Sequence, residues 1–132
     1  MWTVEFADEF DPDYDALDAA VQDELIAQLR IVEQFGPMAK RPRVDTLNGS
    51  KHANMKELRF DWEKEVWRVA FAFDPKRRAV LLVGGDKARV DQKRFYRRLI
   101  AVADERFERH LESLRAKKNG RIGKETGHGK KS

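Results

Sequence analysis

Apolar and polar residues alternate from the first residues of the chain. Trp2, Val4 and Phe6 fall on one side and Thr3 and Glu5 on the other, which predicts a short half-buried strand. Tyr14, Leu17, Val21, Leu25, Leu29 and Val32 then recur at three and four, an amphipathic helix running to Phe35 that Gly36-Pro37 stops. Asp11 before Pro12 suits its N-cap and first turn, and a break near Asp18-Ala19 would divide it into a helical pair. Residues 37–50 read as a loop, with Lys40, Arg41 and Arg43 around Pro42. A period of two returns at Lys56. Leu58 and Phe60 oppose Glu57 and Arg59, and Trp67, Val69, Phe71 and Phe73 oppose Val66, Arg68, Ala70 and Ala72. Val80 to Val83 is nearly all apolar, and the turns at 61–65 and 74–78 are short enough for an antiparallel meander. Gly84-Gly85 lets the chain bend into a long helix, about Val90 to Ala116, with Phe95, Leu99, Val102 or Ala103, Phe107, Leu111 and Leu114 along one stripe.

The predicted class is α+β. A small twisted antiparallel sheet, made of the N-terminal strand and a three-stranded meander, is covered on one face by the N-terminal helix or helical pair, and a long C-terminal helix follows. Residues 1–116 form one domain. Residues 117–132 hold six basic residues, four glycines and, of large apolar side chains, only Ile122, so they read as a disordered basic tail. The face bearing Leu58, Phe60, Trp67, Val69, Phe71 and Phe73 must be covered by helices. The opposite face, with Arg59, Arg68 and alanines, reads as a shallow open surface. A mid-strand arginine is costly unless it reaches water or an anion. Pairing of Arg68 with Glu57 across the strands would satisfy it equally well.

Composition adds an asymmetry to this picture. Residues 1–39 carry ten acidic side chains and one basic one, whereas residues 40–132 carry 26 basic and 13 acidic. That segregation suggests a basic working surface and a polyanionic partner. With no cysteine there are no disulfides or Cys-ligated metals, which fits a cytoplasmic protein. No apolar run reaches membrane-spanning length, and the first residues lack the layout of a secretory signal. Asp11, Asp13 and Asp15 open like a calcium loop, but Ala16 and Gln22 stand where that loop needs Gly and Glu.

Familiar catalytic signatures are missing: no H-E-x-x-H, G-x-S-x-G or P-loop occurs. His52, His110 and His128 are too widely spaced to suggest a metal site, and His110 reads as a helix-surface residue. No cofactor is expected. Lys51, His52, Lys56, Arg59, Arg68, Lys87, Arg89 and Tyr96 remain as candidates. RNA can be cleaved without metal if one group takes the 2′-hydroxyl proton, another balances charge on the phosphorane and a third protonates the leaving 5′-oxygen. A lysine crowded by cations can exchange protons near neutral pH. Arginine serves the phosphoryl oxygens with paired hydrogen bonds, and Tyr96 or His52 can orient, stack or donate. The same groups describe a passive RNA-binding face.

Leu47-x-Gly-Ser-Lys-His52, Lys56-Glu-Leu-Arg59, Val66-Trp-Arg-Val-Ala-Phe71 and Gly85-Asp-Lys87 before Arg94-Phe-Tyr-Arg-Arg98 form a recognisable series. The chain resembles the RelE/ParE superfamily of type II toxins, in its HigB-like, phage-derived branch. The resemblance implies a toxin that cleaves mRNA on translating ribosomes, neutralised by a cognate helix-turn-helix antitoxin. It assigns catalytic roles to Arg68, Arg59, Lys87, Tyr96, Lys56 and His52. RNA contacts fall to Lys51, Arg89, Lys93, Arg94 and Arg97. Glu57 departs from the pattern, standing where a basic residue would be wanted, and Tyr96 lies further into the helix than the tyrosine of RelE. The alternative on this scaffold is a non-catalytic ParE-like gyrase poison or nucleic-acid-binding module.

Overall fold

The computed structural model describes the backbone of residues 1–126 and side chains through Lys118. Its strands are β1 (Thr3–Phe6), β2 (Val44–Thr46), β3 (Met55–Trp62), β4 (Glu65–Phe73) and β5 (Arg78–Asp86). Its helices are α1 (Phe10–Asp15), α2 (Ala19–Phe35) and α3 (Gln92–Thr126). The five strands form one sheet in the order β1-β5-β4-β3-β2. The meander β3-β4-β5 is antiparallel as expected, but β1 lies parallel to β5, so the sheet is mixed. A helical crossover separates β1 from the rest of the sheet, which is the connection that parallel pairing needs.

Of the helix or helical pair expected here, the pair is present, broken at the expected place where Asp18 turns to ψ 144° before α2. The helical pair begins at Phe10, with Glu9 rather than Asp11 as the cap residue. Gly36 then adopts φ +53°, and a side chain there would collide with the Trp2 indole at 2.2 Å, so only glycine lets the helix end beneath that ring. The loop expected over residues 37–50 contains β2. This strand is too short to show a pattern of its own, yet Val44, Asp45 and Thr46 pair with Leu58, Glu57 and Lys56.

Two turns carry the meander. Glu63 takes φ +53° between the paired residues Trp62 and Glu65. In the second turn Asp74 Oδ1 accepts the N–H groups of Lys76 and Arg78 at 2.9 and 3.0 Å, while Arg77 takes φ +63°.

The core is layered. Val21, Leu25, Leu29 and Val32 of α2 and Phe10 of α1 are buried together with Leu58, Phe60, Val69, Phe71 and Leu81 of the sheet. The other face is covered as well. Phe95 of α3 stands 3.0 Å from where a Gly85 side chain would be, and Gly85 is the register partner of Arg68. Leu99, Ala103 and Phe107 follow it into the core, and Ala70, Ala72 and Val80 are wholly buried. The expected open face is therefore overturned: its alanines are the seat of α3. The helix also continues through Thr126 instead of ending near Ala116, which takes ten of the residues expected to form a tail. The remainder of that expected tail, 127–132, lies outside the described residues. Among those described, no helix is long and apolar enough to cross a membrane.

Candidate RNA-cleaving site

β3 and β4 place Arg59 directly opposite Arg68 and Glu57 opposite Ala70. Two arginines facing each other repel unless an anion lies between them. Glu57 fills that role. Its Oε2 stands 3.2 Å from Arg59 Nη1 and its Oε1 3.9 Å from Arg68 Nε. Tyr96, on the second turn of α3, donates its hydroxyl to Glu57 Oε1 at 2.9 Å. Asp91 caps that helix by accepting the Arg94 N–H at 2.8 Å, which sets the rotation that points Tyr96 at the sheet. Lys87 is fixed from its own side. Its N–H donates to Val66 O at 2.8 Å, and the preceding Asp86 accepts from Val66 N and Ala88 N. Lys87 Nζ then reaches Gln92 Oε1 at 3.0 Å and stands 5.9 Å from the centre of the Tyr96 ring.

Three cations thus surround one buried carboxylate, with Asp45 3.9 Å from Arg59 at the edge. Arg68 is 6% exposed and Glu57 5%. Arg68 Nη1 donates to Trp67 O at 2.9 Å, but its buried Nε has no hydrogen-bond partner among the described residues. An unpaired nitrogen on a buried cation is costly, and a bound anion would relieve it. Arg68 and Arg59 do lie beneath a helix and against acids, two guanidiniums facing Glu57 and Asp45, yet the Arg68 Nε stays without a hydrogen-bond partner among the described residues. A cleft of about 440 Å³ also opens onto both at the β3 edge.

The surroundings shift two groups. Burial pushes the Lys87 ammonium below the usual lysine range, and Arg68 and Arg59 push it the same way, against a pull from Glu57 and Asp61. Burial raises the Tyr96 phenol, and its bond to Glu57 raises it further, with Arg68 opposing. Tyr96 is a proton holder near neutral pH, and Lys87 releases its proton more readily than a free lysine does.

The structure brings together Arg59, Arg68, Lys87 and Tyr96, and it separates the other candidates from them. Lys56 alternates onto the opposite face, where its Nζ meets Thr46 Oγ1 at 3.3 Å. His52 packs edge-on against Phe107, with its Nε2 3.4 Å from Glu108 Oε2, roughly 16 Å along α3 from Tyr96. The Lys51 backbone is tied to Asp104, which also accepts from Ser50 Oγ. Arg89, Lys93, Arg94 and Arg97 are exposed around the start of α3, next to the cluster rather than in it. The pairing of Arg68 with Glu57 offered from the sequence is present, but that Glu57 also takes Arg59 and the Tyr96 hydroxyl was not read from it, although the odd acid in a basic strand was the available signal. His110 is not a simple surface residue either. Its Nε2 lies 2.8 Å from the fully buried carboxylate of Asp74, at the opposite end of the interface.

Residues 12–108 match the family described as Phage derived protein Gp49-like (DUF891). The chain belongs to that family. It is 44% identical over 98 residues to the putative toxin HigB2 of Mycobacterium tuberculosis, a match covering 72% of this chain and 47% of that protein. It is 48% identical over 83 residues to the putative toxin HigB3 of the same organism, covering 63% of this chain and 70% of the other. The Gp49-like chain therefore spans about half the length of the first relative. Among solved structures it is similar to a free-state arginine mutant of the Escherichia coli toxin RelE, with a TM-score of 0.50 at 12% identity, covering 76% of this chain and 94% of that one. The RelE-like fold and the HigB-like, phage-derived kinship read from the motifs are both borne out.

Proposed function

We propose that this Gp49-like chain is the toxin of a type II toxin–antitoxin pair and an endoribonuclease acting on ribosome-bound mRNA. The observation that carries this reading is the convergence of Arg59, Arg68, Lys87 and Tyr96 around one carboxylate, with a buried Arg68 nitrogen that has no partner among the described residues. In the reaction the 2′-oxygen attacks the adjacent phosphorus and the bond to O5′ breaks, leaving a 2′,3′-cyclic phosphate and a 5′-hydroxyl. Lys87, with its lowered proton affinity, takes the 2′-hydroxyl proton. Arg68 and Arg59 hold the phosphorane oxygens by charge-assisted bonds. Tyr96 keeps its proton and gives it to the leaving O5′. The cognate antitoxin is a helix-turn-helix protein, and the site of action is cytoplasmic.

Purified protein added to ribosomes and message is expected to cut the message, and Arg68→Ala to abolish most of that cutting. Normal turnover by the variant would remove Arg68 from the chemistry. The burial of Arg68 against Glu57 favours a second reading, a non-catalytic poison on the same scaffold. Intact message together with blocked gyrase supercoiling would select it.

A further inference from the structure

The arginine pair at the centre of the sheet is part of a longer row. Arg68 of β4 is in register with Arg59 of β3, and the Arg59 N–H donates to Arg43 O at 2.8 Å just before β2 begins. Three arginines therefore occupy one transverse line on neighbouring chain segments about 4.8 Å apart. The first two belong to the site described above. Arg43 does not.

β2 ends its pairing at Leu58, so β3 from Phe60 onward has no strand beyond it, and the cleft of about 440 Å³ occupies that position. Arg59, Arg68 and Phe60 line it on the sheet side, and Arg43, Gln28 and Glu24 line it on the other. The last three form a chain: Arg43 Nη1 donates to Gln28 Oε1, and Gln28 Nε2 donates to Glu24 Oε2 at 2.7 Å. The pairing orients the Gln28 amide and the Glu24 carboxylate, whose Oε2 keeps a second lone pair beside the Gln28 bond, so both oxygens of this cleft-lining acid can accept from one base edge. Asp61 is the other acid on the cleft and makes phosphate binding there dependent on all three arginines. The volume falls within the range of roughly 300–1,000 Å³ used by small-ligand sites.

The cleft pairs an anion-binding side with an acceptor side, which is the layout of a nucleotide site. A carboxylate accepts best from two adjacent N–H groups on one base edge, and among the four RNA bases only guanine offers that pair. An exposed planar guanidinium supplies a surface on which a base can stack. We infer that this edge cleft binds one nucleotide of the single-stranded RNA next to the one held at Arg68, with Arg43 on its phosphate or base face and Glu24, oriented through Gln28, selecting guanine. The inference rests on the RNA reading above but not on cleavage.

The test uses the full chain and the four ribonucleoside 5′-monophosphates, with inorganic phosphate as the reference anion, followed by titration calorimetry and amide chemical shifts. GMP is expected to bind about tenfold tighter than the other three and to shift Gln28 and Arg43. Arg43→Ala is expected to weaken all four about equally. Glu24→Gln is expected to remove the preference for GMP while retaining phosphate-driven binding. Thermal melts establish that both surface variants fold. Equal binding of all four nucleotides and phosphate would overturn base selection, and shifts confined to Lys87 and Tyr96 would overturn the cleft itself. Message cutting on ribosomes is read separately. Uncut message with GMP-selective binding ends the nuclease reading alone, and cut message with no nucleotide in the cleft ends this one alone.

Discussion

Two buried carboxylates sit where α3 meets the sheet, and they are used in opposite ways. Asp74 is saturated. It accepts two backbone N–H groups of its own turn, Arg78 Nε and Nη2 at 3.1 and 2.8 Å, and His110 at 2.8 Å, while Arg78 is shared with Glu5 at 2.9 Å. Burial pushes its carboxyl up, but the bonds from His110, Arg78 and the backbone more than reverse this, holding it below the usual carboxylate range. Glu57 faces Arg59, Arg68 and Lys87 with one Tyr96 hydroxyl, and the buried Arg68 Nε beside it has no partner among the described residues. A closed network in which each polar group has its partner is what a structural fastener requires. A buried nitrogen left unmet costs stability, and such costs concentrate at working sites.

Five experiments sharpen this contrast, the largest effect first. Asp74→Ala takes the shared acceptor away from two backbone N–H groups, Arg78 and His110, leaving Arg78 only Glu5, so urea unfolding is expected to show a loss of ~3–5 kcal/mol. A loss below about 1 kcal/mol would mean the network is dispensable and the contrast false. Arg68→Ala is expected to lower message cleavage about 10²–10³-fold, ~3–4 kcal/mol of transition-state stabilisation, with a much smaller change in unfolding free energy because one of three crowded cations is gone. Equal losses in both assays would place Arg68 with the fasteners. Tyr96→Phe removes the hydroxyl that Glu57 accepts, and calorimetric melting is expected to show a loss of ~1 kcal/mol.

The smallest effects are those of pH, and their signs differ between the two ends. Asp74 has a lowered folded-state pKa, so its contribution is complete above the ordinary value of about 4 and disappears as pH falls through the lower folded value. Asp74→Asn should flatten that acid limb in unfolding midpoints. Lys87 is also lowered, but it is a base. The unfolded chain therefore binds the extra proton between the folded value and about 10.4, and stability rises with pH across that window. Cleavage that needs neutral Lys87 should rise with a midpoint below the ordinary lysine range. Arg59→Gln, which takes away one of the neighbouring cations, should move that midpoint upward.

The strand faces were legible in the sequence because the alternation is regular on both sides of the turn, in 56–60 and in 66–73, and the helical pair because its apolar spacing is regular. The parallel placement of β1 was not, since a strand of four residues has no directional signature. Nor was β2, whose three residues become a strand only through pairing with β3. The covering of the arginine face was misread for an instructive reason. Ala70 and Ala72 suggested an exposed shallow surface, yet small side chains also permit a helix to approach closely, and the Phe95, Leu99, Ala103 and Phe107 stripe had to be buried somewhere. With α1 and α2 already occupying one side, the alanine side was the remaining place. Of the candidate residues, Arg59, Arg68, Lys87 and Tyr96 come together in the structure, whereas strand parity parts Lys56 from them and a tether to the far half of α3 parts His52.

One feature of the topology bears on when the molecule takes shape. β1 pairs only with β5, so Thr3 waits for Arg78, and Asp13 waits longer still for Arg106. Contacts between such distant parts of a chain close slowly. During synthesis β1 is made long before its neighbour β5, and Tyr96 on α3 follows both. The charged centre therefore cannot assemble until β3, β4, β5 and the first turns of α3 have all been made, so a chain interrupted before Tyr96 carries the cations without the hydroxyl that holds their carboxylate.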